Sequence, residues 1–352
     1  MPKWMRVFGQ LREIQGLPEK KEVLPVMRRT WKDVLVIVGV LLMAMTIGAP
    51  AGAQGPRYPA KPITILVGWP AGGATDLLAR TLAEAAKPHF DQPLVVVNRP
   101  GGAGTIATAE LVNAAPDGYT LLLQAIAVVA VQPHLRKVPY TIDDMIPVIH
   151  LGRNPTTIGV RSDAPWKTPQ EFIEAARRDP GRIRIAAPGV GTIPHLNAVL
   201  LTGWAKVSVT FVITTGGAMS VAQLLGGHVE AIAQHYNDYV AQAEAGRIRP
   251  LGVFSEARNP LFPEVPTFKE FGYNITGEVY NFIVVPKGTP EPVRRYLHDR
   301  FKRALGERMM QEWAKKALYT IEYLGPEDTD KRIRYWNKIY ADVVRMLGIG
   351  ER

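Results

Sequence analysis

Apolar residues along this chain follow two rhythms that alternate. Short apolar runs, rich in β-branched residues, read as buried strands at 63–68, 94–98, 120–124, 157–160, 184–187, 208–213, 229–233, 250–254 and 281–285. Between them, apolar positions recur at helical spacing near 76–87, 104–114, 168–178, 194–204, 217–226, 237–245, 290–304 and 326–346. Thr168, Pro169 and Glu171 have the form of a capping box with proline at the first helical position. Thr289-Pro290-Glu291 and Gly325-Pro326-Glu327 open later helices in a similar way. Strands alternating with helices predict an α/β fold of parallel sheets with right-handed crossovers. Turn-rich clusters at 147–155 and 273–278 are the places to divide it. One lobe is then 54–152 plus 278–352, and the other is 153–277. A chain that leaves one lobe, builds another and returns makes a two-stranded hinge, which suits closure around a small ligand.

Ile63 to Arg80 is the most informative stretch. A strand runs into Pro70-Ala71-Gly72-Gly73, and a helix with Asp76 in its first turn follows at once. Such a turn leaves backbone N–H groups unpaired at the positive end of a helix dipole, a natural seat for a carboxylate or phosphate. Asp76 itself cannot attract an anion there, so it is read as capping and orienting the turn.

With 352 residues, 47% of them apolar, the chain can bury a large core. Its formal charge is +10, but residues 1–33 hold eight Lys/Arg against four Asp/Glu, leaving roughly +6 spread over the remainder. There is no basic run and no basic patch interleaved with aromatics, which speaks against nucleic acid as a partner. The absence of cysteine excludes thiolate metal sites, disulfides, a Cys nucleophile and a lipidated Cys anchor. At the N-terminus, Arg28, Arg29 and Lys32 precede an apolar run over 34–47, and Ala51 and Ala53 follow in an Ala-x-Ala pattern. Fourteen residues rise about 21 Å as a helix, short of a roughly 30 Å hydrocarbon core. The segment 1–53 therefore reads as an export signal cleaved after Ala53, which predicts a periplasmic protein. An uncleaved membrane anchor is the alternative. The route (general or twin-arginine) and the choice between Met1 and Met27 as the true start stay open.

Catalytic and cofactor motifs find little support. Gly189-Val190-Gly191 follows a strand, but Pro194 stands where a dinucleotide fingerprint needs its third glycine, and no acidic residue ends the next strand. A phosphate-binding Gly-Lys-Ser/Thr loop and a Gly-x-Ser-x-Gly elbow are both missing. None of the seven histidines forms a helical zinc pair, so neither metal nor cofactor is expected. His235-Tyr236-Asn237-Asp238-Tyr239 has residue types suited to acid–base work. Asn237 or Asp238 as a helix N-cap is the plainer reading, with Asn237 pointing into a cleft as the other.

Ordered motifs along 58–345 carry a family resemblance. They include Tyr58-Pro59-x-Lys61-Pro62-Ile63, Pro70-x-Gly72-Gly73-x-x-Asp76, Asn98-Arg99-Pro100-Gly101-Gly102-Ala103-Gly104 and Pro116-Asp117-Gly118-Tyr119. Gly189-x-Gly191-Thr192-x-x-His195-Leu196, Leu224-Leu225-Gly226-Gly227, Ala245-Gly246-Arg247-Ile248-Arg249 and Val265-Pro266-Thr267 follow. The chain resembles the Bug family, the periplasmic substrate-binding receptors of tripartite tricarboxylate transporters. That resemblance implies a two-lobed Venus-flytrap fold, each lobe a mostly parallel sheet flanked by helices. It implies a monomer without catalytic activity that captures a small organic carboxylate and delivers it to membrane permease subunits. A periplasmic sensor for a signalling receptor is the alternative, and an α/β enzyme a more distant one.

The family's gripping surfaces carry over to Ala71, Gly72, Gly73 and Thr75 on the first lobe and to Gly189, Gly191 and Thr192 on the second. His195 either touches the ligand or fixes its turn, and Trp69 is either a cleft wall or an ordinary core residue. Two departures bear on specificity. Gln124-Ala125-Ile126 stands where the family places small hydroxyl or amide residues, and Thr214-Thr215 replaces a Tyr-Lys pair. Both favour a ligand with fewer charges than citrate and an apolar or aromatic body.

Overall fold

The computed structural model describes residues 58–350. The export signal and its cleavage site lie outside the described residues. In chain order the elements are β1 (Ile63–Val67), α1 (Ala74–Ala86), β2 (Leu94–Asn98), α2 (Thr105–Val112), β3 (Thr120–Ala125), α3 (Ile126–Ala130), α4 (Gln132–Leu135), β4 (Met145–Asn154) and β5 (Thr156–Arg161). Next come α5 (Pro169–Arg178), β6 (Arg184–Ala187), α6 (Ile193–Ala205), β7 (Thr210–Ile213), α7 (Gly217–Leu225), β8 (Ala231–His235), α8 (Val240–Glu244) and β9 (Ile248–Val253). The chain closes with β10 (Val279–Pro286), α9 (Glu291–Gly306), α10 (Arg308–Lys316), β11 (Thr320–Leu324) and α11 (Pro326–Leu347).

Two sheets organise two lobes. The first has strand order β11-β4-β10-β3-β1-β2 and the second β7-β6-β8-β5-β9. Both are mixed. β1 pairs in parallel with β2 and β3, whereas β10 runs antiparallel to β3 and β4. In the second sheet β6 is parallel to β7 and β8, while β5 is antiparallel to β8 and β9. Helices cover the apolar faces. Leu78, Ala79 and Leu82 of α1 share one core with Ile63, Ile65 and Val67 of β1 and with Leu297 and Phe301 of α9. In the second lobe Phe172 and Ile173 of α5 pack with Ile158, Ile185, Phe254 and Phe268. Thr168 closes the capping box with Glu171 that its sequence predicts.

Residues 147–155 are not a turn cluster. They belong largely to β4, whose ladder with β10 skips twice, pairing Val284 with Pro147 and Asn281 with Gly152. Pro147 lies beside one of these irregularities, where a strand tolerates a missing donor.

The chain passes between sheets at Pro155, from β4 to β5, and returns before β10. The two passages are tied together. Asn197 Nδ2 donates to Thr156 Oγ1 at 2.7 Å and to the Gly277 carbonyl at 2.8 Å. Thr156 Oγ1 donates to the same carbonyl at 2.8 Å.

Candidate functional site

The turn after β1 is built by Asp76. Its carboxylate accepts from the Gly72 N–H at 2.9 Å, from Arg80 Nε at 3.0 Å and from Asn98 Nδ2 at 2.8 Å. Burial pushes its pKa up, but the bonds from Arg80, Gly72 and Asn98 outweigh that and hold the carboxyl below its usual range. Asn98 Nδ2 also donates to the Trp69 carbonyl, fixing the strand end from which the turn departs. Gly73 then serves as N-cap of α1 with no side chain capping it locally.

The cap comes from the other lobe. The N–H of Ala74, first residue of α1, donates to Asp238 Oδ1 at 3.0 Å. Asp238 Oδ2 lies 3.3 Å from His235 Nδ1. The same carboxylate presses on the start of α7, where a Cβ built on Gly217 would fall 2.1 Å from Asp238 Oδ2. Glycine is required at 217 by this close approach. Asp238 is therefore a capping residue, but for a helix 164 positions away rather than for its own.

Around this contact lies a cavity of about 190 Å³ between the lobes. Trp69, Ala71, Gly73 and Thr75 wall it from the first lobe, together with Ala125 and Ala127 at the end of β3. Thr192 and Pro194 at the start of α6, and Thr215 to Met219 at the start of α7, close it from the second. The N-termini of three helices thus converge on one small, largely apolar space. A second cavity of about 520 Å³ adjoins it, sharing Trp69, Pro70, Pro188 and Thr215. Its walls include Gly101, Gly189, Thr214 and Arg136.

The sequence-predicted residues divide accordingly. Trp69, Ala71, Gly73, Thr75, Ala125, Thr192 and Thr215 line the smaller cavity, and Gly189 and Thr214 line the larger. Gly72, Gln124, Ile126, Gly191, His195 and Asn237 line neither. Gln124 is buried, its amide donating to Thr108 Oγ1 at 2.9 Å and its oxygen accepting from its neighbour Ala125. Ile126 is a core residue. Asn237 Oδ1 accepts from Asn154 Nδ2 at 2.8 Å, joining the two sheets. The Gly191 N–H donates to His195 Nδ1, and the His195 ring meets Phe211 edge-on at 5.1 Å. Burial depresses the pKa of His195 to about 4. Thr192 and Thr214 have their hydroxyls engaged by the backbone of their own turns. His235, singled out in the sequence only for acid–base chemistry, also lines the smaller cavity, and Met219 in that wall carries no local sequence signal.

A family model described as tripartite tricarboxylate transporter family receptor matches residues 78–333. The protein BugT of Bordetella pertussis is 30% identical over 318 residues, 89% of this chain and 97% of that protein. A protein from the gbd 5′ region of Cupriavidus necator is 35% identical over 257 residues, 73% of this chain and 78% of that one. Among solved structures, the periplasmic binding protein BugD superposes with a TM-score of 0.80 at 29% identity, covering 84% of this chain and all (100%) of that chain. An R. palustris protein solved with adipate gives 0.80 at 26%, over 83% and 99% of the two chains. MatC from Rhodopseudomonas palustris, solved with bound malate, gives 0.76 at 25%, over 82% and 100%.

Proposed function

Because the chain belongs to the tripartite tricarboxylate transporter receptor family, we propose that it captures a small organic acid between its lobes and delivers it to a membrane permease of that transporter type. The observation that carries this reading is the convergence of three helix N-termini, from both lobes, on one enclosed cavity. Helix N-termini favour negative charge, and N–H donors act more strongly once closure excludes water. A cavity of about 190 Å³ with a mostly apolar wall suits a small molecule held by few polar contacts.

The lobes of this reading are 54–152 with 278–352, and 153–277, moving about the two passages near residues 155 and 277. Segment 1–53 directs export to the periplasm, and the mature chain works as a monomer. Capture rather than catalysis fits the wall chemistry: the cavity's one imidazole, His235, faces a carboxylate, and the chain has no cysteine.

A thermal-shift screen over mono- and dicarboxylates, followed by calorimetry and small-angle scattering, tests the proposal. Ligand at one hundred times its Kd adds about 2.7 kcal/mol to folding, enough to move the melting temperature by several degrees. Compaction without turnover is expected. Failure of every acid to bind, or conversion of one, would overturn the reading.

A further inference from the structure

Two hydrogen bonds run from lobe to lobe across the cleft. The Ala74 N–H at the start of α1 donates to Asp238 Oδ1 at 3.0 Å, and Gln132 Nε2 on α4 donates to the Val190 carbonyl at 2.8 Å. Every partner is a protein group, so neither bond needs a solute to form. We propose that Asp238 and Gln132 are positioning residues that form a latch, giving the receptor a closed population of its own to which a captured acid adds. This rests on the reading of 54–152 with 278–352, and of 153–277, as lobes that move.

Both bonds are shielded from water. The Asp238 side chain is 3% exposed and Gln132 is fully buried. Asp238 is also aimed by its own lobe: Oδ2 lies 3.3 Å from His235 Nδ1, and the carboxylate presses on the start of α7 at Gly217. A charged acceptor held in place before the lobes meet makes the stronger of the two bonds. The opposing turns meet directly as well. A Cβ built on Gly189 would fall 3.1 Å from Ala103 Cβ, and one on Gly216 would fall 3.2 Å from Pro70 Cδ. Larger residues at these positions would hold the lobes apart.

Net of exchange with water, a hydrogen bond to a charged group shifts an equilibrium by about tenfold or more, and a neutral one by about two- to tenfold. The latch therefore acts on the ratio of closed to open receptor. Apparent affinity falls in proportion to the fraction of protein in the binding-competent form. Gln132 lines neither cavity, so it tunes capture through closure alone.

The chain has no cysteine, so a pair of introduced thiols takes spin labels without competition. β2 and β7 are the sheet edges farthest from the two passages, and Val95 and Thr210 on them are exposed and outside both cavity walls. Pulsed-dipolar distances between labels at Val95→Cys and Thr210→Cys, in refolded and dialysed protein with no acid added, should include a short population. Asp238→Ala should lower the ratio of short to long distances about tenfold or more, and Gln132→Met about two- to tenfold. Asp238→Asn, which keeps an acceptor for Ala74, should fall between wild type and Asp238→Ala, and the double variant Asp238→Ala, Gln132→Met should show the long distance outright. Gly216 has φ 173°, ordinary extended backbone, so Gly216→Ala adds only a methyl wedge against Pro70 and should open the lobes with both bonding pairs intact. A wild type that shows only the long distance overturns the latch, as does an unchanged distribution in the folded double variant. If organic acids bind while the variants leave the distances unmoved, this inference alone falls. If the variants shift the distances and no acid binds, the latch stands and the organic-acid reading fails.

Discussion

His195 offers a test worked from one ring. It is 8% exposed, accepts from the Gly191 N–H through Nδ1 and packs against Phe211. Burial lowers its folded pKa to about 4, against about 6.5 for the unfolded chain. As pH falls, the unfolded state takes up its proton first. The stability associated with the neutral ring is therefore present above about pH 6.5, declines as pH drops towards 4, and is flat below that. A gap of roughly 2.5 pKa units corresponds to about 3 kcal/mol. Urea unfolding across this window should show wild-type protein losing about 3 kcal/mol more than His195→Gln. His150, its pKa also lowered to about 4, first by burial and then by Arg332, gives the same background in both proteins. A folded-state ring titration near pH 6.5, or parallel stability profiles for the two proteins, would refute the reasoning. So would a ligand contact at His195, since the ring lies outside the cavity wall.

Gly217→Ala places a methyl group on Asp238 and should break its bond to Ala74, reducing stability by about 1.5–3 kcal/mol in urea titration. Unchanged stability would show that the carboxylate has another resting place. Neighbouring glycines should separate two effects. Gly72 has φ +82°, so Gly72→Ala is expected to cost about 1–2 kcal/mol of stability. Gly73 has φ −82° and only the Pro70 carbonyl within 4 Å of a built Cβ, at 3.7 Å; Gly73→Ala should melt within about 0.5 kcal/mol of wild type yet bind ligand more weakly. Trp69 borders both cavities, so a bound acid should change tryptophan emission, and Trp69→Phe should abolish that response while the other four indoles of the chain after Ala53 stay silent.

The β1–turn–α1 unit was legible because its signals are local: a β-branched run, a glycine turn and an acidic first helical turn. β4 was not. Its proline and glycine read as loop residues, and only the skipped ladder with β10 shows how a strand absorbs them. β11 escaped because it is a half-buried edge strand with no continuous apolar run. Gln124 was expected at the cleft because it stands where the family places small hydroxyl or amide residues; its amide instead meets Thr108, inside its own lobe. The family resemblance located the turns of the smaller cavity, but not that Asp238 caps α1. That contact spans 164 positions and no periodicity encodes it.

The clasp of Thr156, Asn197 and Gly277 has a consequence for how the molecule can move. Free of each other, two connecting strands would let the halves slide or twist as well as bend. Riveted together at the edge of 153–277, they set the two passages side by side as the spine of a book, about which the other cover can rock. The covers then part most at the edge farthest from the spine, so a solute has a single side from which to come and go.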